Sequence, residues 1–210
     1  MPSGLIQTNA YLLTSAERGE AVLIDAPGGV WAKVAPMLSA EGCKLTQLWL
    51  THGHWDHMEG GAEVVRASGA TVVAHRDDQV LIETPQVMEE RLAGMIGMRL
   101  KLEPVLVDRW VDEGHRIEAL GHEVEVRHVP GHCPGNILFY FPGLGAAFVG
   151  DALFAGSVGR TDLPGGDTRT LLNAIRDRIY SLPDATTVHP GHGGATTVGR
   201  EKQTNPHVRA

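Results

Sequence analysis

Cysteine is scarce in this chain, with only Cys43 and Cys133 in 210 residues. Two cysteines exclude a disulfide framework and point to a reducing cytosol. They also mean that a metal site built on histidine here must be completed with nitrogen and oxygen rather than thiolate. Long apolar runs are missing as well: none approaches the roughly 18 residues that cross a bilayer. The start, Met1-Pro2-Ser3-Gly4-Leu5-Ile6, has no basic stretch ahead of an apolar core, so no export signal is read. Positive charge is in deficit, with 18 Lys and Arg against 25 Asp and Glu and a formal charge of −7. That balance gives no general electrostatic drive toward nucleic acid or anionic membranes. No Ser/Pro-rich linker, low-complexity tract, charge run or fixed-period repeat divides the sequence. We expect one domain over residues 1–210, cytoplasmic and large enough to bury a core unaided.

Two residue types are in surplus, 26 Gly and 11 His. Glycine makes up about 12 % against a usual share of roughly 7 %, which points to tight turns and close backbone approaches. Strands are expected at Asn9–Thr14 and Glu20–Asp25 about an Arg18-Gly19 turn, and at Gln47–Leu50 and Ala70–His75. Helices are expected at Ala32–Glu41, stopped by Gly42, at Gly60–Ser68, stopped by Gly69, and at Gln86–Lys101. The second half reads as strands at Glu123–Val129, Ile137–Phe141, Ala146–Val149 and Thr186–His189. An amphipathic helix over Thr170–Ser181 carries Leu171, Leu172, Ile175 and Ile179. The order suits an α/β sandwich of two mixed sheets covered by helices.

The decisive segment is Leu50-Thr51-His52-Gly53-His54-Trp55-Asp56-His57. Four potential metal ligands fall within six residues, directly after a short apolar strand. A Gly-containing loop can turn all of them toward two adjacent points, His52 and His54 at one ion, Asp56 and His57 at a second. Neutral imidazole suits zinc and iron, and a carboxylate offsets the ions' charge. Three later segments repeat the grammar of an apolar strand running into a Gly-rich turn with a ligand: Val129-Pro130-Gly131-His132, Phe148-Val149-Gly150-Asp151 and Val188-His189-Pro190-Gly191-His192. His132 completes a set with His52 and His54, and His192 joins Asp56 and His57. Asp151 has two oxygens with which to bridge a metal pair spaced at about 3.5–4 Å. Two divalent ions are expected, zinc first, with iron or mixed occupancy as the other loadings.

This ligand order resembles the metallo-β-lactamase superfamily. The runs Gly156-Ser157-Val158-Gly159-Arg160-Thr161-Asp162-Leu163-Pro164-Gly165-Gly166-Asp167 and His189-Pro190-Gly191-His192-Gly193 to Thr204-Asn205-Pro206 resemble its short bacterial glyoxalase II-like hydrolases, and the likeness spans essentially the whole chain. The resemblance implies an αββα four-layer sandwich, two mixed sheets flanked by helices, with the metals at one edge. It implies that Asp25, in Leu23-Ile24-Asp25-Ala26-Pro27-Gly28, is a buried carboxylate that orients the ligand loop and fixes histidine tautomers. The reading from position alone is a strand-end turn residue. The implied activity is hydrolysis of a small-molecule thioester, such as S-lactoylglutathione, by a hydroxide held between the metals, with Asp56 and Asp151 as catalytic ligands. A thiolate with a pKa near 8.5 departs without a strong general acid, and the pattern offers none. The rival on the same scaffold is persulfide dioxygenase, in which one iron would use His52, His132 and Asp151 and oxidise glutathione persulfide.

Some residues depart from the pattern or stand outside it. Cys133 occupies a place where relatives carry a hydroxyl, and Asn136 one where they often carry His. Cys133 reads as a small buried filler, or else as an oxidation-sensitive or soft-metal-binding thiol. Arg160 and Asp162 read either as a salt-bridged loop lock or as contacts to a substrate carboxylate. Met88, Met95 and Met98 read as core or subunit packing, or as a flexible pocket wall. The chain ends 18 residues after His192, so no counterpart is expected to the C-terminal helical region of longer glyoxalase II enzymes, and the thiol carrier stays open. His75, His115, His122, His128, His189 and His207 have no place in the ligand pattern. The expected partner is a small-molecule thioester, with no nucleic acid or membrane, in a monomer or homodimer.

Overall fold

The computed structural model describes residues 1–97 and 99–209, with backbone only at 90, 91, 95 and 96. It divides into two compact units, Met1–Trp110 and Val111–Ala210. Each has its own mixed sheet and core.

In the first unit β1 (Tyr11–Ser15) and β2 (Glu20–Ile24) form an antiparallel hairpin. A helix, α1 (Trp31–Glu41), then crosses to β3 (Lys44–Trp49), which runs parallel to β2. The short α2 (Trp55–Met58) and α3 (Gly61–Ser68) lead to β4 (Thr71–His75), parallel to β3. Two more helices, α4 (Gln79–Glu83) and α5 (Gln86–Ile96), precede the edge strand β5 (Arg109–Val111), giving the order β1-β2-β3-β4-β5. Parallel strands need such crossovers, and strands with covered faces read as apolar runs. Leu23, Leu48, Leu50 and Val72 pack with Val34, Met58 and Val64 in one cluster. A satellite cluster joins Trp55, which sits inside the histidine run, to Leu92 and Leu102.

In the second unit β6 (Arg116–Ala119), β7 (His122–His128), β8 (Ile137–Phe141) and β9 (Ala146–Gly150) form an antiparallel meander. A small hairpin of β10 (Leu153–Phe154) and β11 (Ser157–Val158) follows. Next come α6 (Thr168–Ala174), β12 (Thr187–Pro190), β13 (Thr196–Thr197) and α7 (Val198–Thr204). β12 joins β9 in parallel and β13 closes the order β13-β12-β9-β8-β7-β6. Leu138, Tyr140, Val149, Leu171, Ile175, Ile179 and Val188 form its core.

The structure corrects several sequence boundaries. The helix expected over Gln86–Lys101 stops at Ile96, because Gly97 takes a left-handed conformation (φ 71°) and its N–H turns back to the Ala93 carbonyl. Residues 99–101 lie outside any helix, and Met98 lies outside the described residues. The Thr170–Ser181 helix begins two residues earlier, where Asp167 accepts from the Thr170 N–H. After Ala174 it widens into a π-type turn over Ile175–Ile179, with Tyr180 N–H bonded to the Ile175 carbonyl at 2.9 Å. The strand placed at Asn9–Thr14 is split, Thr8–Asn9 pairing with Pro2–Ser3 and Tyr11–Ser15 with β2. Short elements with weak local signals, among them α2, α4, the β10–β11 hairpin and α7, lie outside the sequence expectations.

Candidate metal centre

Each unit gathers its share of the expected ligands beyond the carboxyl ends of co-directional strands. In the first unit β2 and β3 are parallel, and they run out into Asp25 and into the His52–His57 segment. In the second, β7 and β9 run the same way because each is antiparallel to β8, and β12 is parallel to β9. His132, Asp151 and His192 follow the ends of these three strands. Loops at the carboxyl ends of strands are where open α/β sheets place ligands.

In the first unit Asp25 organises the loop. It is buried at 2 % exposure and takes a left-handed backbone conformation, φ 59°, which Asp tolerates better than most residues. Its Oδ1 accepts the Thr51 N–H at 2.8 Å, and its Oδ2 accepts the Thr51 hydroxyl at 2.8 Å and His57 Nδ1 at 2.8 Å. A carboxylate accepts, so His57 carries its hydrogen on Nδ1 and presents an Nε2 lone pair. The Thr51 hydroxyl has spent its one hydrogen on Asp25, so its oxygen accepts from His52 Nδ1 at 3.1 Å. His52 is thereby put in the same tautomer. Its Nε2 lies 3.1 Å from His54 Nδ1, and the His52 and His57 ring centres are 4.1 Å apart. His57 Nε2 stands 3.4 Å from Asp56 Oδ2, which also accepts the Thr8 hydroxyl at 2.6 Å. The Gly53 N–H is held by Asp78 Oδ2 at 2.8 Å, tying the loop to the residue ahead of α4.

Negative charge is crowded here. Burial and the Asp56 carboxylate push the Glu59 carboxyl above its ordinary range, and burial and the Asp25 charge push the Tyr11 phenol up.

In the second unit one oxygen, Asp151 Oδ2, lies between two imidazole nitrogens, 3.7 Å from His132 Nε2 and 3.5 Å from His192 Nε2. His132 Nδ1 is 2.8 Å from the Arg160 carbonyl, which can only accept. His132 therefore also bears its hydrogen on Nδ1 and aims an Nε2 lone pair at Asp151.

These donor sets fit divalent cations. The Nε2 lone pairs of His52, His57 and His132 are fixed by a hydroxyl, a carboxylate and a carbonyl acceptor at Nδ1, which is the support that metal-ligating histidines receive. Carboxylates stand beside them to offset cationic charge.

Residues 3–192 match the metallo-beta-lactamase superfamily. The chain belongs to that superfamily. It is 34 % identical to a hydroxyacylglutathione hydrolase, GloC, of Haemophilus influenzae, over 100 % of this chain and 97 % of the relative. Among solved structures, BLEG-1, a B3 metallo-beta-lactamase, is similar with a TM-score of 0.89 and 33 % identity, covering 100 % of this chain and 98 % of that one. TTHA1623 in a di-iron-bound form gives 0.84 and 38 %, covering 99 % and 100 %. The superfamily member therefore has the metallo-β-lactamase fold, with mixed sheets and flanking helices, as the resemblance implied.

Other expected residues find local partners. Arg160 donates Nε and Nη2 to the two oxygens of Asp162 at 2.7 and 2.8 Å, and both side chains are exposed. Cys133 is a fully buried thiol. His128 Nε2 meets the Pro134 carbonyl at 2.7 Å, and His189 stacks on Phe148 at 4.8 Å, where burial lowers its pKa. Sequence reasoning missed Thr8, Thr51, Asp78 and the Arg160 carbonyl as supports. Thr51 alone carried a signal, as the residue opening the histidine run.

Proposed function

We propose that this superfamily member holds two divalent metal ions, zinc first, and hydrolyses a small-molecule thioester of the S-lactoylglutathione type. His52, His54 and His132 would hold one ion and Asp56, His57 and His192 the other, with Asp151 as a further carboxylate ligand. The observation that carries the reading is the set of fixed histidine tautomers in both units, and the hydroxyacylglutathione hydrolase relative at 34 % identity supports the substrate class. Bound ions of this kind lower the pKa of water toward about 7 and polarise a carbonyl oxygen.

The chain's own residues do the rest. Asp25 and the Arg160 carbonyl hold the protons of His57 and His132 on Nδ1, which leaves Nε2 as the nitrogen that would meet an ion. Asp56, steadied by Thr8, and Asp151 bring the negative charge that the ions require. Arg160 and Asp162 are the substrate-side residues of the reading, on an exposed stretch of the loop that also supports His132. A thiolate leaving group with a pKa near 8.5 relieves the protein of supplying an acid. Among the described residues no helix is long and apolar enough to cross a membrane. Two buried thiols agree with a cytoplasmic enzyme.

The second reading, a mono-iron persulfide dioxygenase, is supported by the likeness to the solved structure of ETHE1 from Myxococcus xanthus, a persulfide dioxygenase, at 25 % identity and a TM-score of 0.78 over 98 % of this chain and 83 % of that one. Elemental analysis of the purified protein, paired with turnover of S-lactoylglutathione, other thioesters and a β-lactam, and with oxygen uptake on glutathione persulfide, separates the readings. Two ions per chain with thioester turnover is the expected result. One iron per chain, oxygen uptake and no hydrolysis overturns it.

A further inference from the structure

Outside the ligand set and among the described residues, the second unit buries one carboxylate completely. Glu201, on α7, is 0 % exposed. Its Oε1 accepts the Thr196 hydroxyl at 2.6 Å, and its Oε2 accepts the Gly156 N–H at 2.9 Å and Asn205 Nδ2 at 2.9 Å. Asn205 Nδ2 also donates to the Ser157 carbonyl at 3.1 Å. Three neutral donors thus converge on a carboxylate, and two of the contacts reach the same place, the turn of the β10–β11 hairpin. Burying a charge this deeply is costly and is sustained only by such satisfaction.

That hairpin is the link between two expected ligands. Asp151 lies two residues before β10, and Gly159 and Arg160 follow β11 directly. The Arg160 carbonyl is the acceptor that fixes the His132 tautomer. Clearance at this point is minimal: a Cβ on Gly159 would lie 2.0 Å from the Asp151 carbonyl oxygen and 3.0 Å from His132 Nδ1. Any slide of the hairpin therefore changes the Arg160–His132 hydrogen bond. The helix that bears Glu201 is itself anchored. Val198 N–H bonds the Thr186 carbonyl at 3.1 Å and Gly199 N–H the Asp184 carbonyl at 2.9 Å. Past its end, Asn205 Oδ1 accepts the His207 N–H at 3.0 Å.

We propose that Glu201, with Asn205, is a positioning residue: it pins the hairpin turn so that the Arg160 carbonyl keeps His132 in its Nδ1–H tautomer, with Nε2 beside Asp151. The consequence for metal affinity rests on the proposed metal centre, whereas the consequence for the tautomer does not.

Glu201→Gln keeps every contact, since its amide oxygen can face the two N–H donors and its amide nitrogen can donate to the Thr196 hydroxyl. Glu201→Leu fills the space and accepts nothing. In the full chain, long-range proton–nitrogen correlation NMR of the metal-free protein reads the His132 tautomer, and chelator competition reads zinc affinity. Wild type and Glu201→Gln are expected to show a single Nδ1–H tautomer and zinc affinities within about threefold of each other. Glu201→Leu is expected to show a tautomer mixture and a loss of about 10–100-fold in zinc affinity, the range for removing support from a ligating histidine. Asn205→Ala, which takes away the Ser157 link and one bond to Glu201, gives the same pattern more weakly and stands in if the Leu variant fails to fold. A folded Glu201→Leu or Asn205→Ala protein with the wild-type tautomer and zinc affinity overturns the proposal. Thioester turnover is not among the readouts, so a wild-type protein that binds zinc but hydrolyses no thioester refutes the proposed substrate without bearing on Glu201.

Discussion

At the residue scale, Asp25 makes the most consequential local contacts in the first unit. It satisfies three buried donors, the Thr51 N–H and hydroxyl and His57 Nδ1–H, and does so from a left-handed backbone position. Asp25→Ala strands those donors and puts a less tolerant residue at φ 59°. Each orphaned buried donor costs about 1–3 kcal/mol, so a loss of about 3 kcal/mol or more is expected in urea unfolding. Zinc affinity is expected to fall about 10–100-fold in the same variant. Stability and zinc binding both within error of wild type would refute this role in the loop. Asp151→Ala acts differently, because it removes the oxygen that stands between His132 Nε2 and His192 Nε2. Loss of one bound ion per chain together with turnover is expected, measured by elemental analysis and thioester assay; an unimpaired variant speaks against a shared carboxylate. Asp162 provides a pH signature. Its hydrogen bonds with Arg160 hold its carboxyl down at about 2, against an ordinary 3.8. A depressed folded-state pKa means stabilisation that is present above the ordinary value and lost as pH falls toward the lowered one. The gap in thermal midpoint between wild type and Asp162→Asn should therefore be open at roughly pH 5 and shrink toward pH 2, and high salt should narrow it because the pair is exposed. A gap that widens on acidification contradicts the assignment.

At the element scale, the strand-then-loop grammar explains what can be read without coordinates. Each ligand segment is a strand that runs into a Gly-containing turn bearing a ligand, so its signal is confined to a few consecutive residues; β9 and β12 appear within a residue of where that grammar places them, and β3 begins three residues earlier than expected. Supports reached across the chain leave no such trace. Thr8 meets Asp56 from 48 residues away, Asp78 meets Gly53 from 25, and Glu201 meets Gly156 from 45. A Thr or Glu at those positions is indistinguishable in sequence from a solvated one. The end of α5 at Gly97 is a case of a different kind, in which apolar spacing continues past the residue whose backbone ends the helix. The β10–β11 hairpin, too short to register as strands, proves to be the element that joins Asp151 to the support of His132. Gly159→Ala is expected to break that join, since the added methyl meets backbone oxygen at a distance no repacking of side chains relieves. We expect a destabilisation of about 2 kcal/mol or more by denaturant titration, with zinc affinity falling alongside. A folded Ala variant of unchanged affinity contradicts the close approach.

At the scale of the whole molecule, the formal charge of −7 and the carboxylates gathered near the ligand loops set a cost that bound cations offset. The tautomers explain why that offset is specific: the imidazole protons are spent on Asp25, Thr51 and the Arg160 carbonyl in the folded chain. The unfolded chain has no such arrangement, so metal binds the folded state in preference and stabilises it by mass action. At a free zinc concentration 100 times the dissociation constant, the linkage amounts to about 2.7 kcal/mol. For a chain of this size each kcal/mol shifts the midpoint by about 2–4 °C, so loaded protein should melt roughly 5–10 °C above chelated protein. The shift should grow with the logarithm of free zinc, and scanning calorimetry across a zinc titration measures it directly. Asp25→Ala should lose about half of the shift or more at a fixed zinc concentration, whereas substitution of an exposed residue remote from the ligands, such as Glu118→Gln on β6, should keep all of it. A midpoint indifferent to zinc and to chelator would mean that the fixed histidines serve the fold alone.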